Sequence, residues 1–345
     1  MIVYNHLKIE NYKNIPHADL TLKPINLVIG KPGTGKTNLM EATAMLGLRY
    51  LYPTPTYWQR MVRFTQPLDW FPNLKSNKVI KAEVSKGVLA RTLTVRFNEE
   101  TREGMMELYL FDKFDDQRTS LFVSPFEGNK FKISPRTLLE NDESCPIRPY
   151  CFDLSIANSK RLFADNYLEP PFGKNLSLLV EPNTDLGLLF ESHLKSAGYR
   201  PVIEAGSGKI KLARIYDLEN FYGAIPFEAI SESWQRYFFL FAGLVSNQKA
   251  FLLYDNPASG LHTEHIELFA EQLAENDQNQ YLISTHHPLL IKSILRHAGA
   301  GAVNIIVMKK SNSDQYESYA QSVPEEDVIR WLESASYSTN HWENG

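Results

Sequence analysis

An α/β fold, with a mostly parallel core sheet and a separate antiparallel β lobe, is predicted by three features of the sequence. A glycine-rich loop at 30–37 stands between an apolar run and a helical pattern, apolar strands alternate with helical stretches from 250 to 308, and four strand-like stretches separated by turns fill 79–123. Alternation of strand and helix implies a parallel sheet, because each helix returns the chain to begin the next strand. Closely spaced strands with short turns imply antiparallel pairing instead.

The loop is Gly30-Lys31-Pro32-Gly33-Thr34-Gly35-Lys36-Thr37, a complete GxxxxGK[ST] phosphate-binding pattern. Before it Ile25, Leu27, Val28 and Ile29 read as a buried strand, and after it Leu39, Met40, Thr43, Leu46 and Leu48 give a helical pattern over 37–50. In that setting Gly33 and Gly35 let backbone N–H groups turn inward around a triphosphate, and Lys36 reaches the terminal phosphates. The Thr37 hydroxyl can ligate Mg²⁺, and the positive end of the helix dipole adds to the attraction. Gly30, Thr34 and Asn38 complete the expected nucleotide-binding set, and the fold class narrows to a P-loop NTPase.

In chain order, residues 3–9 alternate as a strand, 11–14 read as a turn and 18–22 begin a second strand, so a short hairpin precedes the loop. From 51 to 77, Pro53, Pro55, Pro67 and Pro72 break regular structure, and Trp58, Trp70 and Phe71 are expected to hold an irregular insertion together. Strands at 79–84, 90–97, 105–111 and 120–123 make the β lobe. The chain is thus expected as one two-lobed domain, 1–345, with 51–150 as the inserted irregular segment and antiparallel lobe. The stretch 146–182 shows a short strand at 150–153 and supports no functional assignment. A helix at 186–197 and a hairpin of 199–204 with 209–215 follow; Gly206-Ser207-Gly208-Lys209 imitates a second phosphate loop but lacks its first Gly, its Ser or Thr and its helix. The helix at 232–246 is apolar nearly all round and should be buried. Strands at 250–254, 281–284 and 303–308 then alternate with helices at 262–274 and 286–297. Pro324 and acidic residues open a last helix at 325–334.

Composition narrows the function classes. With 345 residues and 43% hydrophobic content the chain suits a soluble globular protein, and a net charge of -4 gives no global basic field. Nucleic-acid contact would need a local patch or a partner. Cys145 and Cys151 form no CxxC pattern and have no His cluster nearby, so a reducing cytoplasm is expected, without a disulfide framework or structural zinc. The longest apolar run, 237–245, is too short to span a bilayer, and 1–11 has no signal arrangement, so no membrane association is expected.

A second chemical element stands at 251–255, where Phe251-Leu252-Leu253-Tyr254-Asp255 is an apolar strand ending in a carboxylate, the residue type that organises Mg²⁺ beside a phosphate loop. Ser259-Gly260-Leu261-His262 and Ile283-Ser284-Thr285-His286-His287-Pro288 follow in order. Together these motifs resemble the ABC-type ATPases of the RecF, SMC and OLD group, and are most similar to its short bacterial AAA-family members without long arms. The resemblance is specific over about 1–50 and 225–310. It implies that ATP and Mg²⁺ are the cofactors, that Asp255 holds Mg²⁺ through water and that His286 contacts the γ-phosphate. It further implies a homodimer sandwiching two nucleotides, with Ser259 and Gly260 at the interface. Ile230-Ser231-Glu232-Ser233-Trp234-Gln235-Arg236 stands in the position of the signature that completes the partner's site.

Two residues depart from the family pattern. Asn256 stands where the general-base Glu is usual, and an amide cannot take a proton from water at neutral pH although it can orient one. Ser233 stands where a Gly is usual, and its side chain could crowd the partner's γ-phosphate or donate to it. Both changes fall on the hydrolytic half of the site, so tight binding with slow turnover is expected, with Glu232 of the opposite subunit as an alternative base. Lys13 and Asn14 are either a nucleotide contact or an exposed turn, His287 is a surface or capping residue, and Gln59, Gln66 and Gln117 are interchangeable candidates for a site glutamine. About 58 residues follow His287, fewer than a nuclease domain is expected to need, so any cutting chemistry is expected in a separate effector, in a bacterial phage-defence or DNA-repair setting. A small-molecule kinase shares the loop but has no use for the 259–262 and 283–288 motifs.

Overall fold

The computed structural model describes residues 3–51, 60–127, 145–153, 166–181, 184–204, 209–215 and 224–333. The chain opens with the expected hairpin, β1 (His6–Tyr12) and β2 (Ile15–Thr21), whose inward residues Leu7, Ile9, Ala18 and Leu20 are buried. β3 (Ile25–Ile29) is buried on both faces and runs into the glycine-rich loop and α1 (Lys36–Ala44). The helical path runs on through a 3-10 turn, Met45–Gly47, and a short α-helical turn, Leu48–Leu51, so the expected helical stretch to 50 is present with a change of pitch inside it. Gly47 also packs closely on the segment around Ile147, because a Cβ there would lie 2.7 Å from the Ile147 carbonyl oxygen.

The lobe strands are β4 (Ile80–Lys86), β5 (Leu89–Asn98), β6 (Glu103–Asp112) and β7 (Gln117–Glu127). They continue the N-terminal hairpin in one antiparallel sheet of order β2-β1-β4-β5-β6-β7, so the hairpin is part of the lobe. β8 (Ile147–Tyr150) belongs elsewhere, pairing in parallel with the core, so the lobe does not extend to 150. Pro149 is tolerated in β8 because the strand sits at a sheet edge.

The second half contains α2 (Asp185–Ser196), β9 (Tyr199–Ile203), β10 (Ile210–Arg214), β11 (Ile225–Pro226) and α3 (Glu232–Ser246). The hairpin turn expected at 205–208 lies outside the described residues. β12 (Phe251–Asp255), α4 (Thr263–Glu275), β13 (Gln280–Ser284), α5 (Pro288–His297), β14 (Val303–Lys310), β15 (Ser318–Val323) and α6 (Glu325–Glu333) complete the chain. The core sheet has the order β15-β14-β3-β13-β12-β8, parallel except for β15. Parallel strands covered on both faces are continuous apolar runs, which is why β3, β12, β13 and β14 are legible in the sequence. On one face α3 buries Tyr237, Phe238, Leu240 and Phe241, and Phe190 of α2 stacks on Phe238 at 4.2 Å between ring centroids. Against the other face pack α1 and the β lobe.

A buried carboxylate joins the parts. Glu41 lies on α1 with its side chain 2% exposed, and it accepts from Lys13 Nζ at 2.5 Å, Arg63 Nε at 2.6 Å and Tyr12 Oη at 3.1 Å. Burial lowers the Lys13 pKa, and the Glu41 charge opposes that shift. Lys13 is therefore neither an exposed turn lysine nor placed to meet a nucleotide: its ammonium is committed to Glu41 and the Arg63 carbonyl. Next to it Asn14 accepts from Asn38 Nδ2 at 2.6 Å and donates to Ser318 Oγ at 2.8 Å, fastening the hairpin to α1 and β15. Removing one member of a buried ion pair strands the other charge at a cost of about 3–5 kcal/mol, whereas replacing both by apolar residues is often neutral. Glu41→Ala should therefore lower stability in urea denaturation by about 3–5 kcal/mol and Lys13→Met with Glu41→Leu by far less; a loss under about 1 kcal/mol for Glu41→Ala would show that the cluster carries no such strain.

Candidate nucleotide site

Strand register brings the separate motifs to one edge of the core sheet. Ser284 at the tip of β13 is level with Val28 of β3 on one side and Asp255 of β12 on the other, so the glycine-rich loop, Asp255 and the 285–287 turn leave the sheet side by side. Ligands of open α/β sheets bind at this carboxyl edge. Tyr150 pairs level with Tyr254, which places the exit of β8 at the same edge.

Within the loop Gly30, Gly33 and Gly35 have φ of 146°, 78° and 87°, the left-handed region that side chains disfavour. A Cβ on Gly30 would lie 2.5 Å from the Met308 carbonyl oxygen and one on Gly35 2.7 Å from Asn14 Oδ1. Lys36 Nζ donates to the carbonyls of Gly30 at 2.7 Å and Lys31 at 2.9 Å, and Thr34 Oγ1 donates to Lys31 at 2.8 Å. The lysine is thus held across the centre of the loop. Burial lowers its pKa, with the Asp255 carboxylate opposing the shift.

Thr37, Asp255, Asn256 and Ser259 border one cavity of about 320 Å³. Asp255 accepts a hydrogen bond from Ser284 Oγ. Hydroxyl and carboxylate oxygens facing one space are the donor set a hard divalent cation takes, so Thr37 and Asp255 fit Mg²⁺. Asn256 has φ 51°, with its N–H donating to the Ser284 carbonyl at 2.9 Å and its own carbonyl accepting from Ser259 N at 3.1 Å. It therefore occupies a left-handed turn position, where Asn is better tolerated than a longer side chain.

The same cavity has walls that sequence reasoning passed over. Cys151 and Phe152 leave β8 into it, and Arg60, Arg63 and Arg236 give it a cationic side. Arg60 pairs with Asp153 at 2.6 Å, and Arg236 lies 4.8 Å from the Phe152 ring centroid. Burial, with Asp153 and Asp255 adding to it, pushes the Cys151 thiol up to about 11, so it is no nucleophile at neutral pH. The only sequence signal for this wall was the apolar end of β8 itself.

The other expected residues do not border that cavity. Gly30, Lys31 and Thr34 border a second cavity, about 530 Å³, together with Lys309 and Lys310 at the end of β14. His286 is exposed just beyond the tip of β13. His287 is the N-cap residue of α5 but makes no side-chain cap, and burial followed by the nearby His286 lowers its pKa. Asn38 spends its amide on Asn14. Ser231 is the exposed N-cap residue of α3, while the Ser233 hydroxyl is engaged inside the chain, 2.7 Å from His262 N and 2.6 Å from His265 Nδ1. Gly260 has φ 74° and sits against Arg236. Of the candidate glutamines, Gln66 and Gln117 line neither cavity and Gln59 lies outside the described residues.

Residues 155–292, the part carrying Ser231, Asp255 and His286, match the family described as "AAA domain, putative AbiEii toxin, Type IV TA system". No curated protein matches the chain in sequence. Among solved structures the chain is similar to an SMC head bound to the C-winged helix domain of ScpA, with TM-score 0.52 and 14% identity over 95% of this chain and 99% of that one. Two further matches are the SMC head domain from Thermotoga maritima (TM-score 0.44, 14% identity, 93% and 99% covered) and a Pyrococcus furiosus Smc head bound to the C-terminal domain of ScpA (TM-score 0.47, 13% identity, 96% and 98% covered). The fold is that of the ABC/SMC-type P-loop ATPases, as the motif order implied. No described helix is long and apolar enough to cross a membrane.

Gly35 gives the site its sharpest test, because an added methyl must both hold a left-handed φ, at about 1–2 kcal/mol, and displace Asn14. Gly35→Ala should weaken binding of a fluorescent ATP analogue by at least about fivefold. Unchanged affinity would contradict the loop geometry.

Proposed function

We propose that the chain is an ATP-binding, Mg²⁺-dependent switch: two copies close around two nucleotides, hydrolysis is slow, and closure regulates a separate effector protein in the cytoplasm. The observation that carries this reading is Asn256, an amide in a left-handed turn beside Thr37 and Asp255, where a general base would be expected. Thr37 and Asp255 would hold the metal and Lys36 the terminal phosphates, leaving Asn256 able to orient a water but not to take its proton. When bound, Mg²⁺ would neutralise phosphate charge. Closure would follow as a population shift, since ATP gains contacts from both subunits only in the closed pair. His286 would meet the γ-phosphate from the same subunit, and Ser231, Ser233, Ser259 and Gly260 would face the partner's site.

The SMC head binds the winged-helix domain of ScpA, which supports a separate protein, such as a nuclease, as this chain's effector. The setting proposed is bacterial phage defence or DNA repair, and the matched family's description as a putative toxin of a toxin–antitoxin system is in keeping with a chain that works beside a second protein. A relocated base on Glu232 is the second reading. The pairing of Glu232 with Arg236 of its own chain at 2.7 Å speaks against it, because the side chain would have to leave that partner to reach a water in the opposite subunit.

Steady-state hydrolysis tests the proposal. The native chain should turn over slowly, Lys36→Ala should abolish activity, and Asn256→Glu should raise it by roughly tenfold or more, below the full 10²–10⁴ of general-base catalysis because a longer side chain strains the turn. Asn256→Asp, compatible with a left-handed φ, controls for that strain. Fast native turnover that Glu232→Gln slows would reject the reading in favour of the relocated base. Phosphorylation of a metabolite by a chain that stays monomeric with ATP would favour a kinase.

A further inference from the structure

The hydroxyl of Ser233, in the first turn of α3, accepts the N–H of His262 at 2.7 Å and lies 2.6 Å from Nδ1 of His265. His262 is the N-cap residue of α4 and has no side-chain cap of its own, so Ser233 fills a role normally taken within a helix. A hydroxyl that accepts one N–H still has its own proton to place, and the ring nitrogen is the acceptor in reach. Burial holds the His265 pKa below the ordinary imidazole value, His262 and His193 lower it further and Glu264 opposes them. The ring is therefore neutral near pH 7, with Nδ1 able to accept when Nε2 carries the proton.

The His265 ring is itself fixed. It packs edge-on to Trp234 at 4.3 Å and stacks on Tyr237 at 5.0 Å, both residues of α3. A second tie lies beside the first, where Gly260 sits beneath Arg236, so close that a Cβ would be 2.7 Å from Nε. Arg236 is in turn held by Glu232 at 2.7 Å. The start of α3 and the 259–262 turn are thus joined at two points.

From this geometry we infer that His265 is a positioning residue: by accepting the Ser233 hydroxyl proton it fixes that oxygen on the His262 amide and makes the signature turn and the 259–262 turn one rigid docking unit. The purpose of the unit rests on the nucleotide-sandwich reading above, in which both turns face the partner's nucleotide. Ser233 is then neither an obstruction nor a donor to the partner's phosphate. It is the bolt between two turns that must arrive together.

Exchange of the His262 amide hydrogen, followed by NMR in the full chain, reads the tie directly. In the native protein this amide should be protected, and Ser233→Ala should speed its exchange about tenfold, the worth of one hydrogen bond. His265→Ala should speed it at least about threefold, and the double variant should be no faster than Ser233→Ala. His265→Asn presents an oxygen near the position of Nδ1 and should keep near-native protection, which a merely structural loss of the stacked ring would not. Native-like exchange in His265→Ala, or equal exchange in the Asn and Ala variants, overturns the inference. In parallel, the ATP concentration for half-maximal association should rise about tenfold in Ser233→Ala and stay within about threefold of native in His265→Asn. If exchange behaves as stated but the native chain never associates with ATP, the tie stands and the dimer reading falls. If the native chain associates and Ser233→Ala associates equally well, the docking role falls.

Discussion

Glu41 is the constraint on which the rest of the structure depends. Its carboxylate, buried on α1, is paired with Lys13 from the β1–β2 turn and Arg63 from the irregular segment. An unpaired buried charge is expensive, so the assembled state of hairpin, phosphate-loop helix and insertion is favoured over any partial one. The consequence for chemistry is orientation. In the proposed site α1 aims its N-terminus at phosphate; its middle is pinned by Glu41 and its first turn through Asn38 and Asn14. The β lobe therefore acts as a bracket for the loop, because β1 both carries the turn that holds α1 and begins the lobe sheet.

The two halves of the site are built differently. In the proposed site Asp255 and the start of the glycine-rich loop stand at the end of a parallel sheet, where register fixes Val28, Ser284 and Asp255 at one level and leaves little freedom. The two departures from the pattern that the motifs resemble stand elsewhere, Asn256 on a turn and Ser233 in the first turn of α3. Asn256 occupies a left-handed position secured by backbone hydrogen bonds, and Ser233 is tied to the neighbouring helix. A change at a strand tip would disturb the sheet, whereas turn positions can exchange chemistry at small structural cost. A site that keeps nucleotide and loses its base is thus compatible with an intact fold, and in the proposed switch the energy for closure comes from differential binding rather than turnover.

What could be read from sequence follows the same division. β3, β12, β13 and β14 announce themselves because burial on both faces demands continuous apolar residues, and the phosphate loop because its backbone demands glycine at fixed spacing. β8 is expected too late, at 150–153 instead of Ile147–Tyr150, since Arg148 and Pro149 read as surface or turn residues until the strand is seen at an edge. β15 alternates too weakly to stand out, having only Ser318 buried. Glu41, Lys13 and Arg63 look like three ordinary charges on a helix, a turn and a loop, and nothing local marks them as one cluster, because their contact spans the tertiary fold. The walls contributed by Arg60, Cys151 and Phe152 are invisible for the same reason. Ser233 was recognised as a departure, but the partner of its hydroxyl lies 32 positions away on another helix.

The central claim is that nucleotide, not turnover, sets the association state. Sedimentation velocity of the native chain with and without ATP and Mg²⁺, beside Lys36→Ala, measures it most directly. The account predicts a monomer without nucleotide, a dimer with ATP and Mg²⁺ that persists for as long as hydrolysis is slow, and a monomer in both conditions for Lys36→Ala. A native chain whose mass is the same with and without ATP would contradict it.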